Sequence, residues 1–508
     1  MTTHTAHTIR DSRGYAFTFL LVAGFTFWFI LGFPFQHHNE SYIWVAHLEN
    51  GDFLDCVLHK MVPVANYRPL GQAVIWLTFR LSGGSVAPAQ VFNFVVAIAA
   101  WLLAFAVIKE RRTFGFAALL TGSLFFSAYI YIFHLHGAFY SPVLLFLVLL
   151  FVVFEQENGR RHVGLATAGA LIAAFFHPYA LLLFIAAVMG AWWKQRHSLS
   201  RTELLSLFVA AFVAAAAIVL LVILPGNTEP GTLAKRWTGL VISYRATEVH
   251  PAISAAVAVL TLLTALNAGP RRTTRILLTG GAAAGLIALQ LLGLPLFFVW
   301  IAVSAAKLLL LNHVSLAATL LTASILPTIA PTGSPTYAIF AGMLCTMALS
   351  VDAHVYEHFL AHIGMRTGIT AFVAIVAMAF VLRSGVRVPI LTGLATPVLA
   401  ERERTEQLVT ILDWWQNSQF SPLPVTLAQE AYNPVDAVDV SDRRSRPPTN
   451  SQYLYQYTAH RWNRGRPGET DSSRLVVVFG DASRSTGDPV YTLTSRFATP
   501  ARVLVESK

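Results

Sequence analysis

A succession of about thirteen apolar runs constrains this chain more than any other feature, because each run is close to the length a helix needs to cross a bilayer. The runs fall at 15–33, 90–108, 115–133, 138–154, 163–176, 178–192, 203–224, 251–268, 276–292, 294–311, 314–330, 337–351 and 369–383. Hydrophobic residues make up 55% of the 508 positions and charged residues only 12%. A soluble domain typically carries about 25% charged residues, so this chain lacks the polar surface to cover itself in water. Residues 1–384 therefore read as an all-α polytopic membrane domain of about 13 helical segments. Arg10 and Arg13 precede the first run, which is too long for a signal-peptide core and is read as a retained first span.

The net charge of +10 invites a nucleic-acid reading. Its placement argues otherwise, since the basic residues sit largely in short loops between apolar runs, where the positive-inside rule puts them. Cys56 and Cys345 lie far apart and form no Cys-x-x-Cys pair, so neither a disulfide framework nor a zinc or redox motif is expected.

Several of the runs are short for a crossing, notably the two that flank Phe175-Phe176-His177-Pro178-Tyr179. Proline removes a backbone donor and disfavours helix in the residue before it, so two half-depth helices should meet at a break. Arg10, Arg13, Lys109, Arg111, Arg112, Arg160 and Arg161 mark one side of the membrane. Lys194, Arg196, Arg201, Arg271, Arg272 and Arg275 join that side only if the chain turns back at His177. The expectation is a plasma (inner) membrane protein with that face and the N-terminus cytoplasmic. The loops at 34–89 and 225–250 and the tail from 385 then lie outside. The direction of the runs in 276–383 stays open, because they carry few charges.

Residues 385–508 read as a small α/β soluble extracytoplasmic domain. Leu408, Ile411, Leu412 and Trp415 recur at helical spacing after Glu401. Leu475-Val476-Val477-Val478-Phe479 before Gly480-Asp481 reads as a buried strand ending in a turn. The stretch from Asp436 to Arg466, rich in Asp, Arg, Pro, Ser and Asn, reads as irregular chain.

Candidate chemistry concentrates in the first outer loop. It opens on His37-His38-Asn39-Glu40-Ser41, continues as a membrane-surface helix carrying Glu49, Asp52, Asp55 and Lys60, and then reads Tyr67-Arg68-Pro69-Leu70. An apolar stretch ending at Arg80 leads to a second span with Asn93. A carboxylate at the lip of a membrane cavity is placed to accept a proton from a hydroxyl. A nearby arginine offers a planar fork of donors to a phosphate.

This order of parts over residues 15–110 resembles the GT-C superfamily of integral-membrane glycosyltransferases, those similar to the dolichyl-phosphate-mannose mannosyltransferases included. Beyond that stretch only the hydropathy plan agrees. The resemblance implies transfer of a sugar from a polyprenyl-phosphate carrier to a glycan, lipid or protein acceptor on the outer face. Glu40 falls where the family keeps its catalytic carboxylate. Arg68 would contact the carrier phosphate and His177 would be a second phosphate donor. His38, Asn39, Tyr67, His134, His136, Tyr140 and Arg245 are further candidates for substrate contact. Where many members carry another acidic residue, this chain has His134-Leu135-His136-Gly137. A divalent metal held by two carboxylates is therefore not carried over, no cofactor is assigned, and a metal stays an open alternative.

Plainer readings stand beside these. Glu40 can be a solvated charge at a helix end, and Arg68 can snorkel or pair with Asp52 or Asp55. His134, His136 and Tyr140 suit a membrane interface, and Arg236 and Arg245 can meet a lipid phosphate from another outer loop. His354-Val355-Tyr356-Glu357-His358, with His362 at helical spacing, spells a metallopeptidase pattern, but its position suits a surface helix better. The rival functional class is a transporter or flippase for a lipid-linked or small substrate, which would bind at the midplane through ionisable residues within spans.

Overall fold

The computed structural model describes residues 48, 52–58, 68–83, 87–125, 137–155, 162–195, 200–220, 232–245, 247–248, 251–269, 271–328, 338–353 and 355–356 of the first region. In the tail it describes 407, 410–411, 414–415, 417–420, 425–427, 473–479, 489–494 and 500–507. Every apolar run within the described residues forms a helix. After the short α1 (Phe53–Leu58) and α2 (Pro69–Leu81) come α3 (Ala87–Val107), α4 (Arg111–Phe125), α5 (Gly137–Glu155), α6 (Val163–Phe176), α7 (Tyr179–Gln195) and α8 (Arg201–Ile218). Then follow α9 (Leu233–Arg245), α10 (Pro251–Leu266), α11 (Arg272–Leu291), α12 (Phe297–Leu310), α13 (Val314–Ile325) and α14 (Ala338–Ser350). The runs at 15–33 and 369–383 lie outside the described residues.

Among the described residues, four helices are long and apolar enough to cross a membrane: Pro88–Val107, Ala138–Glu155, Arg201–Ile218 and Arg272–Leu291. Burial ranks them, with 72% of the span in α5 covered by protein against 6% in α11. A helix apolar all round, such as α5, belongs at the centre of a bundle. It packs against α3, α6, α7, α13 and α14. By contrast, α8 and α11 expose Leu205, Phe208, Phe212, Ile276, Leu277 and Ile287. Apolar side chains in such continuous exposure fit a lipid surface, not water. The chain is thus a mostly helical membrane protein.

Polar contacts fix the direction of the helices whose order the sequence leaves open. Glu155, ending α5, accepts from Lys194 Nζ at 3.4 Å near the end of α7, pairs with His313 Nδ1 at 2.8 Å, and accepts from the Leu316 backbone N–H at 3.0 Å. The ends of α5 and α7 therefore meet the start of α13. At the opposite end, Tyr244 of α9 donates its hydroxyl to the Ser324 carbonyl at 3.0 Å near the end of α13. The start of α12 lies there too, because Glu248 accepts from its Leu296 and Phe297 N–H groups at 3.0 and 2.6 Å. Arg236 and Arg245 donate to the carbonyls of Thr328 and Gly293, after α13 and α11. Lys307, wholly buried near the end of α12, donates to the Leu349 carbonyl near the end of α14 at 2.9 Å. Helices α11 to α14 therefore alternate in direction, and Lys109, Lys194 and Arg271 fall at one end of the bundle.

One helix was not anticipated. The stretch 225–250 reads from sequence as a loop, yet Leu233–Arg245 is helical. It buries Gly239, Leu240, Ser243 and Tyr244 on one face and exposes Leu233, Trp237 and Arg245. Hydropathy misses it because its basic and apolar residues balance.

Helices α7 and α13 approach closely at Gly190 of α7. A Cβ there would sit 2.6 Å from Ser315 Cα and 2.8 Å from the Val314 carbonyl oxygen, both backbone atoms of α13. Neither can swing aside, so any side chain separates the two helices. Gly190→Ala should destabilise the detergent-solubilised protein by about 1–3 kcal/mol, the usual cost of overpacking. Gly280→Ala in α11, where nothing lies within 4 Å, should leave the melting temperature equal or higher. Equal melting temperatures for wild type and Gly190→Ala would show that the α7–α13 contact is loose.

Among the described residues the tail contains a four-stranded sheet in the order β1 (Val425–Leu427), β2 (Ser473–Phe479), β4 (Ala501–Ser507), β3 (Pro489–Leu493). The expected strand at 475–479 is the core of β2, parallel to β1 and antiparallel to β4. Being paired on both edges explains its unbroken apolar run. Helical residues between Gln407 and Asn417 pack on this sheet: Trp414 stacks on Tyr491 with ring centroids 4.5 Å apart and planes 8° from parallel. The stretch from Asp436 to Arg466 lies outside the described residues.

Candidate functional site

Arg68 occupies the N-cap position of α2, and Pro69 starts the helix, where its missing N–H costs nothing. That placement holds the Arg68 side chain beside the first turn of α5. Its guanidinium carbon lies over the Phe139 ring at 4.8 Å from the centroid and near the Tyr140 ring at 5.7 Å. Gly71 makes this approach possible: a Cβ there would lie 2.6 Å from Phe139 Cε1. A guanidinium resting on an aromatic face keeps its N–H donors in its own plane, the geometry that suits a phosphate or carboxylate.

Tyr140 links this arginine to His177. The two rings are 5.0 Å apart between centroids, and Phe340 of α14 stands 6.2 Å from Tyr140 on another side. His177 is extended (φ −155°, ψ 121°) and ends α6, its N–H still bonded to the Ala173 carbonyl at 2.8 Å. Pro178 follows, and α7 runs back against α6, so the sequence break is a turn. His177 Nδ1 accepts the Tyr179 backbone N–H at 3.3 Å. An Nδ1 that accepts leaves the ring proton on Nε2, so a neutral His177 presents a donor there. The side chain is fully buried and feels the positive charge of Arg68. Helices α2 and α5 and the α6–α7 turn thus bring Arg68, Tyr140 and His177 into one neighbourhood, although 37 to 109 positions separate them in sequence.

The other candidates separate into two sets. Arg245 is exposed and bonded to Gly293, and Arg236 is bonded to Thr328, so both brace the α9 layer. Asp52 is exposed ahead of α1. Glu40, His38, Asn39, Tyr67, His134 and His136 lie outside the described residues, as do the side chain of Asp55 and the histidines of the metallopeptidase-like pattern. Among the described residues no three His, Cys, Asp or Glu side chains gather as a metal ion would require. Sequence reasoning named Tyr140 but not its partner Phe139; the adjacent aromatic pair at the start of an apolar run was the available signal.

A second polar feature lies at the α9 end. Burial pushes the Glu248 carboxyl up to about 7, outweighing the two backbone N–H donors of α12 that favour its charge. Raising the folded-state value above the ordinary carboxylate range of about 4.5 means that the unfolded chain ionises first. Glu248 therefore adds stability that is whole below about pH 4.5 and lost as pH rises through about 7. Wild-type melting temperature should fall by a few degrees more than that of Glu248→Gln between pH 5 and pH 8. Parallel profiles would show that the carboxyl titrates normally.

No family model, curated protein or solved structure matches this chain.

Proposed function

We propose that this protein is a glycosyltransferase of the GT-C type that moves a sugar from a polyprenyl-phosphate carrier to an acceptor at the outer face of the membrane. The observation that carries the reading is the grouping of Arg68, Tyr140 and His177. It supplies a fixed cation and a neutral N–H donor where α2, α5 and the α6–α7 turn meet. An arginine fork and a histidine N–H held close together offer charge-assisted and neutral donors that match the oxygens of an anion. A lipid phosphate fits such donors and brings its own hydrocarbon tail into the bilayer.

In the proposed reaction the acceptor oxygen bonds to the anomeric carbon as the bond from that carbon to the carrier phosphate breaks. The phosphate leaves with the electron pair, and the acceptor's proton passes to Glu40 as general base. Arg68 and His177 stabilise the negative charge that grows on the departing phosphate. One displacement of this kind inverts the anomeric centre. The acceptor is a glycan, lipid or protein that meets the carrier at that face, and no step requires a metal.

The rival reading, a transporter or flippase, draws on Lys307, a lysine wholly buried in α12. Its bond to the Leu349 carbonyl sets it near one end of the bundle, not at mid-depth between repeats. The two are separated with the purified protein in nanodiscs, offered C55 polyprenyl phosphates carrying mannose, glucose or arabinose together with membrane-extract acceptors. Release of free polyprenyl phosphate with label entering the acceptor supports the transferase. Movement of intact lipid-linked sugar across proteoliposomes, with no turnover, supports the flippase.

A further inference from the structure

Gln72 stands one helical turn after Arg68, its backbone N–H bonded to the Arg68 carbonyl at 3.0 Å. Arg68 caps the helix one turn before Gln72, and Gln72 lies on the side of α2 that continues with the buried Ile75 and Phe79. That side packs among α3, α5 and α6. Gln72 is 1% exposed, yet neither its Nε2 nor its Oε1 has a hydrogen-bond partner among the described residues. The Oγ of Ser141, the residue after Tyr140, is buried in the same condition. Buried polar groups are bonded in about nine cases of ten, so an amide with both ends unused is an exception that needs a cause. Packing alone would be served better by an apolar residue of the same length.

We propose that Gln72 reads the sugar of the donor, its amide bonding to vicinal hydroxyls while Arg68 holds the adjoining phosphate. The inference rests on the glycosyltransferase reading above. An amide offers a donor and an acceptor side by side, the complement of two neighbouring hydroxyls. One helix face then recognises both halves of a glycosyl phosphate: charge at its N-cap, hydroxyls one turn further in.

The test uses Gln72→Met, which keeps length and removes the amide. Affinity is measured in nanodiscs for bare C55 polyprenyl phosphate and for the forms carrying mannose, glucose or arabinose. The wild type should bind one sugar-bearing form more tightly than the bare phosphate. Gln72→Met should lose about tenfold on that form, keep its affinity for the bare phosphate, and melt without ligand at the same temperature or higher. Equal losses on both lipids, or none, would overturn the assignment. So would failure of Gln72→Met to fold, since the amide would then belong to the fold. If the wild type binds no polyprenyl phosphate at all, the glycosyltransferase reading itself fails and Gln72 loses its role with it.

Discussion

Glu40→Gln should lower turnover by about 10²–10⁴-fold while the protein still inserts and binds its lipid carrier. Glutamine keeps the shape and much of the hydrogen bonding of glutamate but cannot take a proton from the acceptor. The comparison that gives the result meaning is with Asp52→Asn and Asp55→Asn in the same loop. Asp52 is exposed, and a carboxylate screened by water contributes little to chemistry it does not touch. Both variants should retain most activity. A general need for negative charge at this loop would instead lower all three alike. Near-normal turnover in Glu40→Gln with a collapse in Asp52→Asn would mean that the other carboxylate is the base.

The second large effect is at Arg68. Arg68→Ala should weaken binding of C55 polyprenyl phosphate by roughly one to two decades, the loss of a charge-assisted contact worth about 1.5–3 kcal/mol. Stability should change less, because a cation over an aromatic ring contributes only about 0.5–2 kcal/mol. Arg68→Lys should recover part of the affinity, since lysine restores the charge but not the planar fork that rests on Phe139. Unchanged carrier affinity in Arg68→Ala would remove this residue from the site.

Much of the membrane region was legible because apolar length is a strong signal. The turn at His177 followed from Pro178 and from the sidedness of basic loops, and Lys194 does meet Glu155 at the end of α5. What sequence could not give was long-range pairing. Nothing in the spacing of Glu248 announces that it caps α12, 48 positions away. Nor does Gly190 announce that it lies against Ser315. Helix α9 escaped notice because an amphipathic surface helix averages to neutral hydropathy, whereas a span does not. At the site, Arg68 and His177 stand out by their chemistry, whereas Tyr140 between them suits a membrane interface better than a ligand when only the sequence is considered. Its ring contacts with His177 and Phe340 come from the packing of α5 against the α6–α7 turn and α14, which no local pattern encodes.

The most direct measurement is an experimental structure of the protein with C55 polyprenyl phosphate in nanodiscs. The phosphate oxygens should lie about 3 Å from the guanidinium nitrogens of Arg68 and from Nε2 of His177, with the isoprenoid chain leaving toward lipid. A phosphate found instead beside Arg236 or Arg245, with Arg68 still lying on Phe139 and no density near His177, would contradict the proposed donor site.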